Sequence, residues 1–92
     1  MTRKDRIAAA LTEALRPTRL DVVDESDRHA GHAGHAGARP GGETHYRLHI
    51  VSPAFVGKTR VERHRMVNAL LAAEFASGLH ALAIAVAAPD EA

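Results

Sequence analysis

The segment GETHYRLHIVSPAFVGKTRVERHRMVNALLAAEF, residues 42 to 75, decides the fold because a strand pattern, a stop and a helix pattern follow one another in it. Polar and apolar residues alternate from His45 to Ser52, which predicts a strand with one buried face. That face carries Tyr46, Leu48 and Ile50. Pro53 ends the strand, because proline has no N–H group to donate to a sheet.

A helix is predicted after this strand, over residues 60 to 76. Thr59 and Glu62 have the spacing of a capping box, in which each side chain bonds a backbone N–H at the helix start. Gly78 follows as a candidate C-cap. Apolar residues recur at helical spacing at Val67, Leu70, Leu71 and Phe75. The aromatic side chains expected in the core are those of Tyr46, Phe55 and Phe75.

Two further elements precede the segment. Residues 3 to 15 have the pattern of an amphipathic helix, with Thr2 as its N-cap. The apolar positions of that helix are Ile7, Leu11, Ala14 and Leu15. The β-branched run LDVVDE, residues 20 to 25, predicts a strand. The glycine-rich and histidine-rich stretch that follows has no periodicity, so residues 26 to 44 are expected to form a long loop.

The last element is a third strand, in which Leu82, Ile84 and Val86 alternate with alanines before Pro89. The predicted order is therefore α-β-β-α-β. A strand, helix, strand unit forms a right-handed crossover between parallel strands, so the second and third strands should run the same way as neighbours. Their N-terminal ends then lie together.

The chain has seven histidines, and three of them recur every third residue in HAGHAGHAG: His29, His32 and His35. His80 stands directly before the third strand. Because the long loop enters the second strand at the same edge, the loop histidines and His80 are expected to converge. Imidazole is a common metal ligand and titrates near neutral pH, so metal binding or proton sensing is the leading hypothesis. The alternatives for the loop are a soluble linker and an adventitious divalent-metal site.

The other three histidines are not assigned to a metal. His45 and His49 share the polar face of the second strand and are expected to face solvent or a helix. His64, inside RHR at the start of the main helix, is expected to hydrogen-bond locally or to belong to a contact surface.

Composition narrows the function further. With 92 residues the chain is predicted to be one domain, residues 1 to 92, and with no cysteine it can supply no thiolate to an iron-sulfur cluster or a zinc ribbon. A signal-peptide core and an apolar run of about 18 residues are both missing from the sequence, so the cytoplasm is the expected location, without membrane contact. Neither a nucleophile motif nor a phosphate-binding glycine fingerprint is present, so no enzymatic activity is expected.

Basic residues cluster around the start of the main helix: Lys58, Arg60, Arg63 and Arg65. Their four positive charges and the negative charge of Glu62 give this region a net charge of +3. A positive helix start suits phosphate, and a turn followed by a helix can serve as a DNA-binding unit. The formal net charge of the chain is only +1, which argues against general polyanion binding, and a solvated helical face is the simpler interpretation.

The segments DVVDES (21 to 26), residues 42 to 75 and LHALAI (79 to 84) resemble the BolA family in order and separation. The resemblance implies an α+β, class II KH-like fold, with a three-stranded mixed sheet covered by helices on one face. It also implies a monothiol glutaredoxin as partner. The free protein is then expected to be a monomer or a weak homodimer.

The same resemblance implies a bridging 2Fe-2S cluster shared with the glutaredoxin and glutathione, and none bound tightly by this chain alone. One family ligand, a histidine at the start of the last strand, corresponds to His80. The other corresponds to the loop, where His29 in DESDRH is the nearest match and His32 and His35 are alternatives. The implied partner surface includes Arg63, His64 and Arg65.

BolA-like proteins are also regarded as transcriptional regulators with a helix-turn-helix. DNA binding through the basic helix, residues 58 to 75, is therefore the alternative function. The GxxG loop that clamps nucleotides in KH domains is absent between the helices, so the fold type alone does not predict RNA binding.

Overall fold

Three α-helices and three β-strands form the part of the chain that the computed structural model describes, residues 1–25 and 44–92. The helices are α1 (Arg3–Leu15), α2 (Arg60–Leu70) and α3 (Ala72–Ala76). The strands are β1 (Arg19–Asp24), β2 (His45–Val51) and β3 (Ala81–Ala87). Short 3-10 turns follow β2 at Pro53–Phe55 and β3 at Pro89–Glu91. The predicted order is confirmed, except that one predicted helix is divided into α2 and α3.

The strands form one mixed sheet in the order β1-β2-β3. β1 pairs antiparallel with β2, and Val22 lies opposite Leu48. β2 pairs parallel with β3, and His45 lies opposite Ala81. The prediction that the second and third strands are parallel neighbours is therefore confirmed, and the fold is α+β.

The helices cover one face of this sheet. Tyr46, Leu48 and Ile50, the residues of β2 that the alternation predicts to be buried, are buried and share one cluster with the apolar face of α1 and with the following turn and helix. Val51 of β2 is buried as well. The largest fully buried side chains of the cluster are Ile7, Leu11, Tyr46, Leu48, Ile50, Phe55, Val67 and Leu71. On the opposite face of β2, Arg47 is exposed and His49 is half-buried. Ala14, which was predicted on the apolar face of α1, is exposed.

Both predicted helix starts are capped as the sequence indicates. Thr2 accepts a hydrogen bond from the N–H of Asp5, whose carboxylate accepts from the N–H of Thr2. Thr59 and Glu62 form the same reciprocal pair at α2, with 2.7 Å between the Thr59 nitrogen and the Glu62 carboxylate. Each pair satisfies two backbone donors that the helix leaves without a partner, so the helices begin where the local sequence directs.

The prediction of a single helix over residues 60 to 76 is wrong. Leu71 interrupts it at φ −105° and ψ 14°, and its N–H is shared between the carbonyls of Val67 and Asn68. The buried stripe runs through Val67, Leu71 and Glu74. Phe75 is 37% exposed, so its prediction as a core residue is also wrong. The stripe keeps helical spacing, but its last member is a carboxylate, which an apolar pattern cannot reveal.

Glu74 is held by two arginines of α1. Its carboxylate lies 2.8 Å from the Arg3 guanidinium and 2.9 Å from Arg6 Nε. The Glu74 side chain is 12% exposed and that of Arg3 is 11% exposed. Hydrogen bonding to Arg6, together with the positive charges of both arginines, lowers the pKa of Glu74 despite its burial. The two cations offset the cost of burying the Glu74 carboxylate between α1 and α3.

The predicted loop, residues 26 to 44, lies outside the described residues up to position 43, and the KH-like classification of the fold stays a prediction. No helix within residues 1–25 and 44–92 has the length and apolar character needed to cross a membrane.

Candidate functional site

The C-terminal end of β1 and the N-terminal ends of β2 and β3 lie together at one edge of the sheet. β1 ends there, and the N–H of Glu25 donates to the carbonyl of His45 at 2.8 Å. β2 begins there, and the carbonyl of Thr44 accepts from the N–H groups of His80 and Ala81 at 2.8 and 3.0 Å. This arrangement follows from one antiparallel and one parallel pairing around a central strand. His80 therefore lies beside the point where the chain enters β2, as the topology predicts.

Two histidine rings lie next to each other at this edge. The ring centroids of His45 and His80 are 5.5 Å apart, and the ring planes are tilted by 50°. Nδ1 of His45 lies 2.9 Å from the hydroxyl of Thr44, which orients the His45 ring. His80 is exposed and His45 is half-buried. His45, which the sequence predicts to face solvent or a helix, lies instead beside His80, because it stands opposite Ala81 in the parallel pairing.

These two imidazoles suit a metal site whose remaining ligands come from other groups, because two residues do not make up a full set of ligands. Two histidines that bind one tetrahedral metal through bonds of about 2.0 Å bring their ring centroids to about 5 Å, close to the observed separation. Within residues 1–25 and 44–92 no group of three or more histidine, cysteine or acidic side chains is placed to hold a metal ion. Further ligands would have to come from elsewhere. The predicted loop ligands, His29, His32 and His35, lie outside the described residues.

The basic residues predicted at the start of α2 are only partly brought together. Lys58, Arg60, Arg63 and His64 line an open cleft of about 500 Å³ between α2 and β3. The strand side of this cleft consists of Ile84, Ala85 and Val86. Arg65 is exposed and does not line the cleft. The predicted surface is thus a cleft with a basic wall and an apolar wall.

Arg63 differs from its neighbours because it already holds a carboxylate. Its two terminal nitrogens lie 2.6 and 2.9 Å from the two oxygens of Glu91, and its guanidinium lies 5.9 Å from the ring centroid of Phe55. These hydrogen bonds lower the pKa of Glu91 to about 2. The Arg63 side chain is 11% exposed. Arg63 thus acts first as a link between α2 and the turn that follows β3.

The remaining cations at this helix start have no salt bridge within the described part of the chain. They are Lys58, Arg60 and Arg65. Glu62, which stands among them, is engaged in the capping box, and its bonds to Thr59 lower its pKa. The positive charges of Lys58 and Arg65 also lower the pKa of Glu62, so its carboxylate is ionised at neutral pH. It therefore offsets part of the positive charge at the helix start, although it forms no salt bridge with either residue in the described part of the chain. The cleft keeps a positive excess.

The family model described as BolA-like protein matches residues 11–91. BolA1 from Arabidopsis thaliana is a similar solved structure, with a TM-score of 0.88 and 42% identity, covering 100% of this chain and 97% of that one. The UV-induced protein uvi31 of Schizosaccharomyces pombe is 47% identical over 99% of this chain and 90% of its own length. The DNA-binding transcriptional regulator BolA of Escherichia coli is 39% identical over 88% of this chain and 70% of its own length.

Proposed function

Because this chain belongs to the BolA-like protein family, we propose that it is an adaptor that binds a monothiol glutaredoxin and co-ligates a bridging 2Fe-2S cluster through histidine. The adaptor would serve iron-sulfur cluster trafficking or iron and redox regulation. The observation that carries the proposal is the position of His80. It is exposed, its backbone N–H donates to the carbonyl of Thr44, and it lies at the edge where the His-rich segment begins and ends.

The proposed second ligand is a loop histidine, with His29 first and His32 and His35 as alternatives. The segment leaves the described structure after Glu25 and returns at Thr44, and both residues lie at the edge that carries His80. His29 is four residues from Glu25, and four residues of extended chain span at most about 14 Å. Of the three loop histidines, His29 has the shortest sequence separation from this edge.

The chemistry of the chain supports a shared cluster. The protein has no cysteine, so the thiolates must come from the glutaredoxin and from glutathione. When bound, such a cluster supplies one-electron redox chemistry, and an imidazole in place of a thiolate raises its reduction potential. The chain's own part is to present His80 at a rigid strand end and to keep His45 and Thr44 packed beside it. A cytoplasmic, non-enzymatic role belongs to the same proposal.

The test is to mix the purified protein with cluster-loaded monothiol glutaredoxin and glutathione and to record visible circular dichroism and size-exclusion elution. We expect a changed spectrum and a heterocomplex that contains the cluster. The loop ligands are ranked by three single variants, His29→Ala, His32→Ala and His35→Ala. The variant that most reduces the change in the visible circular dichroism spectrum identifies the ligand. An unchanged spectrum with separate elution of the two proteins would refute the adaptor role.

DNA binding is the second candidate function. It is favoured by the basic cleft at α2 and by an E. coli relative whose name is DNA-binding transcriptional regulator. The logarithm of the affinity for a short DNA duplex should then fall linearly with the logarithm of the salt concentration. Arg60→Ala should reduce the magnitude of that slope by about one. A duplex that binds no better than a neutral polymer at low salt would exclude this candidate.

A further inference from the structure

The outer edge of β3 is open in the part of the chain that the structure describes. β3 is the last strand of the sheet, and β2 is its one partner among those residues. Ala81 N–H donates to the carbonyl of Thr44, and the carbonyl of Ala87 accepts from Ser52 N–H. In a parallel ladder, alternate residues direct both backbone groups to the neighbour and the residues between them direct both groups away. The open edge therefore presents backbone donors and acceptors at Leu82, Ile84 and Val86.

This edge coincides with the basic cleft. Ile84 and Val86, two of the residues whose backbone groups point outward, also line the cleft. The opposite wall carries Lys58 and Arg60, which are exposed and make no salt bridge within residues 1–25 and 44–92. Ala85, which lies between Ile84 and Val86 on the strand, is small and exposed, so no large side chain at this position blocks the strand side of the cleft. The outward backbone groups of β3 and two cations without a salt bridge in the described part of the chain therefore line the same cleft.

The chain itself shows that carboxylates suit this helix start. Arg63, on the wall of the cleft, binds Glu91 through two hydrogen bonds of 2.6 and 2.9 Å, one to each carboxylate oxygen. Paired hydrogen bonds of this kind are the strong form of carboxylate recognition by arginine. Lys58 and Arg60 offer the same charge and form no salt bridge with the described residues.

We propose that the open edge of β3 and the basic start of α2 together bind an extended acidic segment of a partner protein, which adds to β3 as a fourth strand. The backbone of the segment pairs with the outward groups of β3, and its carboxylates contact Lys58 and Arg60. Strand addition of this kind draws affinity from main-chain hydrogen bonds and specificity from flanking side chains.

Charge and shape favour this occupant over two others. Duplex DNA carries negative charge but has no peptide groups to pair with the strand. A second copy of β3 has the peptide groups, but it would bring two sets of Lys58 and Arg60 together, and like charges placed in contact are unfavourable. An acidic peptide in extended conformation satisfies both the backbone and the cations.

This surface is independent of the proposed cluster site. His80 precedes β3, while the cleft uses Ile84 to Val86. Ala85 is five positions after His80, which corresponds to about 16 Å at the rise of a β-strand. The test below uses neither glutaredoxin nor a cluster, so its failure would leave the adaptor proposal untouched.

The binding test uses the full chain and a fluorescein-labelled eight-residue peptide of alternating valine and glutamate, followed by fluorescence anisotropy. Arg60→Glu and Lys58→Glu should each weaken binding about tenfold, while Lys4→Glu, an equal charge change on exposed α1, should leave it within about twofold. Equal weakening by all three variants would overturn the proposal, because the attraction would then be general and not located in the cleft.

The strand test uses two N-methylated versions of the same peptide. Methylation of one alternate set of amides should abolish binding and methylation of the other set should be tolerated, since only one set faces β3. In the complex, amide hydrogen exchange should slow at Leu82, Ile84 and Val86 and stay unchanged at Ala83 and Ala85. Binding that tolerates both methylated sets would contradict strand addition.

Two further outcomes would also overturn the proposal. In one, a DNA duplex binds with the same dependence on Lys58 and Arg60 while the peptide does not bind. In the other, the free chain dimerises through β3 and the peptide fails to compete with that dimer.

Discussion

The imidazole rings of His45 and His80 lie 5.5 Å apart, although 34 residues separate the two in the chain. The parallel pairing of β2 with β3 brings them together, because His45 opens β2 and His80 stands one residue before β3. Thr44 fixes both: its hydroxyl lies at Nδ1 of His45 and its carbonyl accepts from the N–H of His80. The two imidazoles are therefore neighbours at the edge of the sheet that carries His80.

The first prediction concerns His45. His45→Ala should weaken cluster coupling to the glutaredoxin, but less than His80→Ala does, because His45 packs against the proposed ligand and offers a second nitrogen. The amplitude of the visible circular dichroism change measures the coupling. His49→Ala is the matched control, since His49 lies on the same face of β2 but beside Asp21, with 3.6 Å between its Nδ1 and the carboxylate. Equal effects at positions 45 and 49 would remove His45 from the site.

The second prediction concerns Glu74. Glu74→Gln should lower the free energy of unfolding by about 2 kcal/mol, because it leaves the nearly buried Arg3 guanidinium without its carboxylate. Urea unfolding measures the difference. Glu13→Gln, on the exposed face of α1, is the control and should change stability by less than about 0.5 kcal/mol. Similar losses for both variants would mean that the charge of Glu74 contributes little.

The third prediction is a pH dependence. The Arg63 guanidinium and the N–H of Ala88 hold the pKa of Glu91 at about 2, against an ordinary value of 4.5. A carboxyl whose pKa falls on folding stabilises the native state above its unfolded pKa and loses that contribution as the pH falls toward the folded value. The stability difference between the wild type and Glu91→Gln should therefore be largest above about pH 5 and should vanish near pH 2.

The pH series has a neighbouring control. Asp90→Asn removes the adjacent carboxylate and leaves the Arg63–Glu91 pair in place, so its stability difference from the wild type should vary less over the same range. A Glu91→Gln difference that stays constant from pH 7 to pH 2 would show that the pair does not form in solution.

The fourth prediction separates two phenylalanines. Phe55→Ala should cost about 3 to 5 kcal/mol, because Phe55 is fully buried in the cluster between sheet and helices. Phe75→Ala should cost about 1 kcal/mol or less, since its ring is 37% exposed. Chemical unfolding of both variants under identical conditions tests the difference. Comparable losses of stability would show that Phe75 belongs to the core, as the sequence pattern predicts.

Much of the fold was predictable because it depends on local signals. Thr59 and Glu62 stand three residues apart and form their capping box within one turn, and alternation from His45 onward marks a strand regardless of context. The parallel pairing of β2 and β3 followed from the general preference for right-handed crossovers. Such signals need no knowledge of distant residues.

The features that the sequence did not reveal depend on contacts between distant residues. Glu74 takes a place in the buried stripe because Arg3 and Arg6, 71 and 68 positions away, neutralise it there. A polar residue in a helix pattern gives no sign of such partners, so the sequence favoured Leu70 and Phe75 instead. The approach of His45 to His80 is of the same kind, since it depends on strand register and on the turn at Thr44.

The most direct test of the central claim, that His80 ligates the shared cluster, is pulsed electron paramagnetic resonance on the reduced complex with glutaredoxin and glutathione. Histidine labelled with ¹⁵N in this chain alone should give a nitrogen coupling to the cluster. The part of that coupling that comes from His80 should be lost in His80→Ala, which leaves the coupling of the loop histidine, and the whole coupling should be kept in His49→Ala. A cluster-containing complex without any coupling to the labelled histidines, or with one that survives His80→Ala unchanged, would contradict the claim.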